Sequence, residues 1–229
     1  VRNDRVIWAS CMVSCGDADG AVTGNTRRYG ASLEKIKKVI EPRLGEIMFG
    51  LNMIVNKGKT VFIGDTSVHE YPSSEQLAEI AISSARVVRL FGFDPKVAFV
   101  SHSTFGQPLT SRTKHIKNAV NLLKEKNVDF SFDGDMQPDV ALNEQYKELY
   151  PFSNIVGNAN ILIMPGQHSA AISYKMMREL GGAKVIGPLL VGLAQPIEIA
   201  PLRSSTSDIL NLASVAAYSA GVINYNKKN

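Results

Sequence analysis

Apolar residues fall along the chain in two alternating patterns: short continuous runs closed by Gly or Pro, and longer stretches with the three-to-four-residue rhythm of a helix. Arg5 to Ser14 predicts a buried helix ending at Cys15-Gly16-Asp17, followed by a strand over Ala21-Val-Thr-Gly24. Ser32 is expected to cap the next helix. Leu33, Ile36, Val39 and Ile40 form one face of it, Lys35, Lys37 and Lys38 the other, and Pro42 stops it. From Lys59 the alternation is regular. Strand Lys59–Ile63 runs into Gly64-Asp65-Thr66 and a helix started by Ser73 or Ser74 and ended by Gly92. Strand Lys96–Ser101 passes through His102-Ser-Thr-Phe-Gly106 to a helix from Ser111 to Lys126. Strand Val128–Phe132 exits at Asp133-Gly134-Asp135, ahead of a short helix from Val140 to Leu149.

Punctuation is densest between Asn160 and Leu212. Asn160–Met164, stopped by Pro165-Gly166, has the continuous apolar character of a strand covered on both faces. A helix from Ser169 to Leu180 should stop at Gly181-Gly182, giving way to strand Lys184–Gly187, a loop Pro188–Gly192 and strand Ile197–Ala200. Ser204, Ser205, Thr206, Ser207 and Asp208 then crown an amphipathic helix built on Ile209, Leu212, Ala213, Ala216 and Ala217. Asn224–Asn229 reads as a frayed polar tail. Repeated strand, loop and helix units predict an α/β fold with largely parallel sheets and right-handed crossovers. Ligands in such sheets sit outside the carboxyl ends of the strands, so the exits at Gly24, Gly64, Ser101, Asp133, Pro165 and Gly187 are expected to line one rim.

Composition narrows the function classes. With 229 residues, 45% hydrophobic and 20% charged, the chain is ordinary globular material. No apolar run is long enough to span a bilayer and no signal peptide is visible, so a soluble, cytoplasmic protein without membrane partners is expected. The first residue is Val, from which a start inside a longer polypeptide, or the loss of residues at the start, is expected. A net charge of +4 suits an anionic ligand weakly, but Lys and Arg form no stripe and aromatics are few, which speaks against nucleic acid. Cys11 and Cys15, spaced i,i+4, do not form a redox motif and read as reduced core thiols.

Each candidate for chemistry has a plain structural alternative. Arg27-Arg28, between a strand exit and a helix, could hold a phosphate or be solvated surface arginines. Ser103-Thr104-Phe105-Gly106 and Ser204–Ser207 could present hydroxyls and N–H groups to an anion, or serve only as turns and caps. Asp133, Asp135 and Asp139 lack calcium-loop spacing, and His69, His102, His115 and His168 match no zinc spacing, so no metal is expected. There is no G-x-S-x-G elbow and no G-x-G-x-x-G fingerprint.

At Ala18-Asp-Gly-Ala-Val-Thr-Gly24, Asp133-Gly-Asp-Met-Gln-Pro-Asp139, Ala159-Asn-Ile-Leu-Ile-Met-Pro165, Ile186-Gly-Pro-Leu-Leu-Val-Gly192 and Ser207-Asp-Ile-Leu-Asn-Leu212 the chain resembles the phosphate acetyl/butyryl transferases. The resemblance implies an isocitrate-dehydrogenase-like α/β fold of two lobes with an acyl-CoA cleft between them. Residues 1–43 and 199–229 would form one lobe, lacking its N-terminal part, and 44–198 the other. It also implies acyl-CoA or phosphate binding by Thr26, Arg27, Arg28, Ser103, Thr104, Gly106, Pro165, Gly187, Pro188, Ser207 and Asp208.

Active members of that family place a Ser-Arg pair just before the last capped helix and an aspartate base in its first turn. Here the aspartate is Asp208, but the pair falls on Pro201 and Leu202, and a second arginine falls on Glu34. Loss of those cations removes stabilisation of a transferring group. Gly24-Asn-Thr-Arg-Arg-Tyr29, Thr60-Val-Phe-Ile-Gly-Asp-Thr-Ser-Val-His-Glu70, His168-Ser-Ala170 and Gly187-Pro-Leu-Leu-Val-Gly-Leu193 resemble instead the C-terminal transacetylase-like domain of hybrid NADP-dependent malic enzymes. That resemblance implies a regulatory and oligomerising domain that binds acetyl-CoA without transferring it. NADP and a divalent metal would be held by a malic enzyme domain elsewhere in the same chain. An active phosphate acetyltransferase with Asp208 as base, and a purely structural assembly module, are the other readings.

Overall fold

A computed structural model describes residues 3–108 and 110–228. They divide into two compact units, residues 1–50 with 186–229 and residues 51–185.

In the first unit, helix α1 (Arg5–Cys15) starts where Asp4 accepts from the N–H groups of Val6 and Ile7 and stops at Gly16, whose φ of 83° is the left-handed turn expected there. It buries only the stripe Val6, Ser10 and Val13 and leaves Trp8 56% exposed, so it is not the fully buried helix predicted. Cys11 is accordingly half-buried and Cys15 exposed; both are free, and neither is a core thiol. Strand β1 (Ala21–Gly24) leads to helix α2 (Tyr29–Ile36). Ser32 is not its cap. The helix closes a turn earlier, with Ala31 and Ser32 donating to the Arg28 carbonyl, and Ser32 lies buried inside it. Lys35, on the polar face of the helix, pairs with Asp4. Strand β8 (Ile197–Ala200) runs parallel to β1 with Gly24 opposite Ala200, and helix α8 (Thr206–Lys228) packs on both. That helix continues through Asn224–Lys228, replacing the expected tail; Asn229 lies outside the described residues.

Strands β2 (Phe49–Asn56) and β3 (Lys59–Gly64) form an antiparallel hairpin, so the sheet is not wholly parallel. Lys57 and Gly58, at φ 48° and 76°, make the two-residue turn whose twist suits a hairpin. Behind β3 come helix α3 (Ser74–Leu90), strand β4 (Lys96–Val100) and helix α4 (Ser111–Glu125). Both helices begin with reciprocal capping boxes, Ser73 with Gln76 and Thr110 with Thr113. Strand β5 (Ser131–Met136) contains Asp133-Gly134-Asp135, which the sequence reading placed after the strand. Gly134 permits this because a β-carbon there would meet Phe99 at 2.7 Å, so only glycine lets the two strands lie this close.

The expected helix from Val140 to Leu149 is two short ones, α5 (Pro138–Leu142) and α6 (Glu144–Lys147). They are broken at Asn143, which is extended and caps the second with its own side chain. Strand β6 (Ile161–Ile163) and helix α7 (Gln167–Gly181) follow. Strand β7 (Lys184–Val191) passes straight through Gly187-Pro188, so the loop expected at Pro188–Val191 is strand, and only Gly192 lies beyond it. The sheet order is β5-β4-β6-β3-β2-β7; with β7 at the edge, the N–H that Pro188 lacks is not needed for an inner ladder. Neighbours β5, β4, β6 and β3 are parallel, and β6 is buried throughout, as its apolar run predicts. Ile54, Ile63, Ala98, Val100, Leu162 and Met164 are central to the core of the second unit. No helix among the described residues is long and apolar enough to cross a membrane.

Candidate functional site

In the first unit the parallel pairing of β1 and β8 brings two loops to one sheet end. Gly24 has a φ of 102° and sits so close to Ala200 that a β-carbon would lie 2.3 Å from its carbonyl oxygen; the Asn25 N–H then donates to that same oxygen at 2.8 Å. Thr26, Arg27 and Arg28 therefore emerge beside Pro201–Ser205, and α2 and α8 both start there with their N-terminal N–H groups at the carboxyl end of the pair. Thr26, Arg28 and Ser207 are exposed. The Arg27 guanidinium is 2.9 Å from Asp4, and Lys35 and Arg27 together hold the Asp4 carboxyl well below the usual range. Asp208 has a structural role as well: it accepts from the Ser205 N–H at 2.9 Å and hydroxyl at 2.8 Å, while Ser205 Oγ accepts from the Asp208 N–H at 3.2 Å. That reciprocal pair caps α8 and fixes the carboxylate at its first turn.

Gly187 and Pro188 belong to β7 in this unit, inside a strand. Nearby, the Glu198 side chain on β8 is buried and accepts from the Leu190 N–H at 2.9 Å. Burial pushes its carboxyl up to about 8.

In the second unit Ser103, Thr104 and Gly106 turn inward. The Ser103 hydroxyl donates to buried Asp135, the Gly106 N–H donates to the same carboxylate at 3.0 Å, and Thr104 Oγ1 accepts from the Gln137 N–H at 3.3 Å. Their hydrogen-bonding groups thus hold the loop after β4 against β5.

The strand exits at Gly64, Ser101 and Pro165 do share one end of the parallel strands, whereas Asp133 lies within β5, and Gly24 and Gly187 belong to the other unit. A cavity of about 570 Å³ opens at that end, floored by Val100, Ile116 and Met164 and bounded by Ser101, His102, Pro138 and Pro165. The remaining walls come from the loop after β3 and the starts of α4 and α7. Asp65 shapes that loop, its buried carboxylate accepting from the N–H groups of Ser67, Val68 and His69 and contacting His69 Nδ1 at 2.8 Å. The loop then delivers Glu70 and Tyr71 to the cavity mouth. Gly166 lets α7 begin against it, since a β-carbon there would lie 2.7 Å from the Glu70 carbonyl oxygen, which instead accepts from the Gln167 N–H at 3.2 Å. His168 Nε2 lies 3.1 Å from Glu70 and its ring stacks on Tyr71. His115 is held by the Pro72 carbonyl at 2.8 Å and by Ser74 Oγ at 3.0 Å.

Of the binding residues proposed from sequence Pro165 lines this cavity, as does Ser101, one of the strand exits expected to form a ligand rim. Glu70, Tyr71, His115 and His168 went unassigned because they come from separate segments. The available signal was that residues 70–72, His102 and His168 each follow a strand of one parallel sheet. Among the described residues, no three His, Cys, Asp or Glu side chains come together as a metal site.

Comparison with known proteins agrees with this architecture. The chain is 47% identical over 221 residues to an NADP-dependent malic enzyme from Rhizobium meliloti, covering 96% of this chain and 29% of that protein. It is 32% identical to a phosphate acetyltransferase from Clostridium acetobutylicum, covering 95% of this chain and 68% of the relative. A phosphotransacetylase structure from Streptococcus pyogenes superposes with a TM-score of 0.87 at 29% identity, over 93% of this chain and 66% of that one. The chain thus spans under a third of the malic enzyme and about two thirds of each transacetylase. The profile described as phosphate acetyl/butaryl transferase matches residues 1–217, and with the α/β architecture and the parallel β1–β8 end this places the chain in the phosphate acetyl/butaryl transferase family.

Proposed function

We propose that this chain is the acetyl-CoA-sensing, transacetylase-like part of an NADP-dependent malic enzyme that oxidatively decarboxylates malate to pyruvate. The two units would be the lobes of an isocitrate-dehydrogenase-like fold, and self-association would assemble the enzyme. The observation that carries the reading is the β1–β8 end. Exposed Arg28, the α2 and α8 N-termini and the fixed Asp208 carboxylate gather there, while Pro201, Leu202 and Glu34 occupy the positions where active relatives would carry the Ser-Arg pair and a second arginine. Such an end can hold an anionic ligand yet lacks the cations that would stabilise a transferring acetyl or phosphoryl group. Acetyl-CoA would regulate by binding one of two enzyme conformations more tightly. The catalytic NADP and a divalent metal are assigned to the malic enzyme part of the longer relatives, of which this chain spans 29% in the Rhizobium meliloti protein.

Calorimetric titration with acetyl-CoA tests the reading: saturable binding without turnover, weakened when Arg27 and Arg28 are changed together to Ala, is expected. The 32% identity to a phosphate acetyltransferase and the retained Asp208 favour a second reading, a working transacetylase. Phosphate-dependent release of acetyl phosphate, lost in Asp208→Asn, would establish it; because Asn can still accept from Ser205, that variant separates chemistry from capping. If neither binding nor turnover is found, an assembly role remains.

A further inference from the structure

We propose that the cavity of the second unit binds the adenine ring of an adenine nucleotide. Its position is where parallel α/β sheets take ligands, outside the carboxyl ends of neighbouring strands, and its volume of about 570 Å³ falls in the ordinary range for small-molecule sites. The lining selects the chemistry. The ionisable side chains among the described residues around it are Glu70 and three histidines, a lining that suits a neutral group better than an anionic one. The floor is apolar, built by Val100, Ile116 and Met164, which suits a flat hydrophobic face.

Hydrogen-bonding capacity remains at the mouth. His168, whose Nε2 meets Glu70, keeps its second ring nitrogen, and exposed His102 can donate or accept. An aliphatic group would strip water from these sites without replacing it, whereas adenine carries both ring acceptors and an amino donor. Tyr71 decides for a ring. It is 73% exposed at the lip and stacked with His168, their centroids 6.1 Å apart and their planes within 29°. Such an exposed pair of aromatic faces offers a stacking platform for a base. Both CoA and the nicotinamide dinucleotide phosphates carry adenine; if acyl-CoA is the source, the inference rests on the function proposed above.

The test titrates the 229-residue chain with adenosine, followed by saturation-transfer NMR, and with acetyl-CoA, NADP and pantetheine in parallel. Adenosine should saturate and pantetheine should not compete with it. Tyr71→Ala, at an exposed position that does not hold the core, should weaken adenosine roughly 5- to 150-fold, the range expected for one lost base–aromatic stack, and Tyr71→Phe should restore it. Displacement of adenosine by acetyl-CoA or by NADP identifies the natural source. No adenosine saturation at millimolar concentration, or equal affinity in Tyr71→Ala, overturns the inference. Acetyl-CoA binding that is indifferent to Tyr71→Ala but sensitive to the paired Arg27 and Arg28 changes would sink this proposal and leave the proposed function standing. Adenosine binding without acetyl-CoA binding would do the reverse.

Discussion

Glu198 offers a stability experiment whose size follows from the structure. Its side chain is buried on β8, bonded to the Leu190 N–H, and its carboxyl is pushed from an ordinary 4.5 to about 8 by burial. The raised value means that the folded chain keeps the proton while the unfolded chain releases it. The group's contribution is therefore fully present below about pH 4.5 and is lost as pH rises through about 8. A displacement of that size corresponds to about 5 kcal/mol, an upper figure that relaxation of the site will reduce. Glu198→Gln keeps an oxygen to accept from Leu190 and removes the titration. Urea unfolding from pH 5 to 9, followed by fluorescence of Trp8, the single tryptophan and a member of the same unit, reads the effect. Wild type should lose several kcal/mol across that range relative to the variant, and the variant should be the more stable protein at pH 8. Parallel pH profiles for the two proteins would refute the burial argument.

Three further outcomes follow from local geometry. Gly192→Ala should be the most damaging single methyl tested, by about 3 kcal/mol or more, because its β-carbon would lie 2.0 Å from the Ile47 carbonyl oxygen at a φ of 89°; thermal unfolding checks it, and a near-native Tm would contradict the close approach. Ser205→Ala should cost about 1 kcal/mol through loss of the α8 cap, and adding Asp208→Ala should cost less than the sum of the two single changes, since both break one reciprocal pair; urea titrations of the three variants measure it. Asp4 has its carboxyl lowered by Lys35 and Arg27, so it stabilises above the usual carboxylate range and loses that contribution as pH falls; Asp4→Asn should flatten the acid limb of the unfolding profile and leave the alkaline limb unchanged.

Helices and strands were legible wherever a single face or a continuous run decides them. Leu77, Ile80, Ala81 and Val88 behind Ser73 mark α3, and the unbroken Ile161–Ile163 marks a covered strand; both rest on burial and capping that neighbouring residues report by themselves. The sequence also carried the family, through motifs spread along the chain in order, and from it the expectation that Arg27, Arg28 and Asp208 matter. What it could not carry was anything requiring a partner distant in the chain. Strand β2 has no alternation because its first six residues are buried, and β5 runs through an Asp-Gly-Asp segment that reads locally as a turn. Gly134 can sit in that strand only because Phe99 leaves no room for a β-carbon, a fact held by another strand. Likewise Ser103 and Asp135 read as available polar groups until the fold joins them to one another and to the Gly106 N–H. The cavity is the extreme case: Tyr71, His102 and His168 become neighbours only because parallel strands deliver their carboxyl ends to one place. Local periodicity fixes which residues must be buried, but the choice of what they are buried against, and which polar groups remain free for a ligand, is made by tertiary pairing alone.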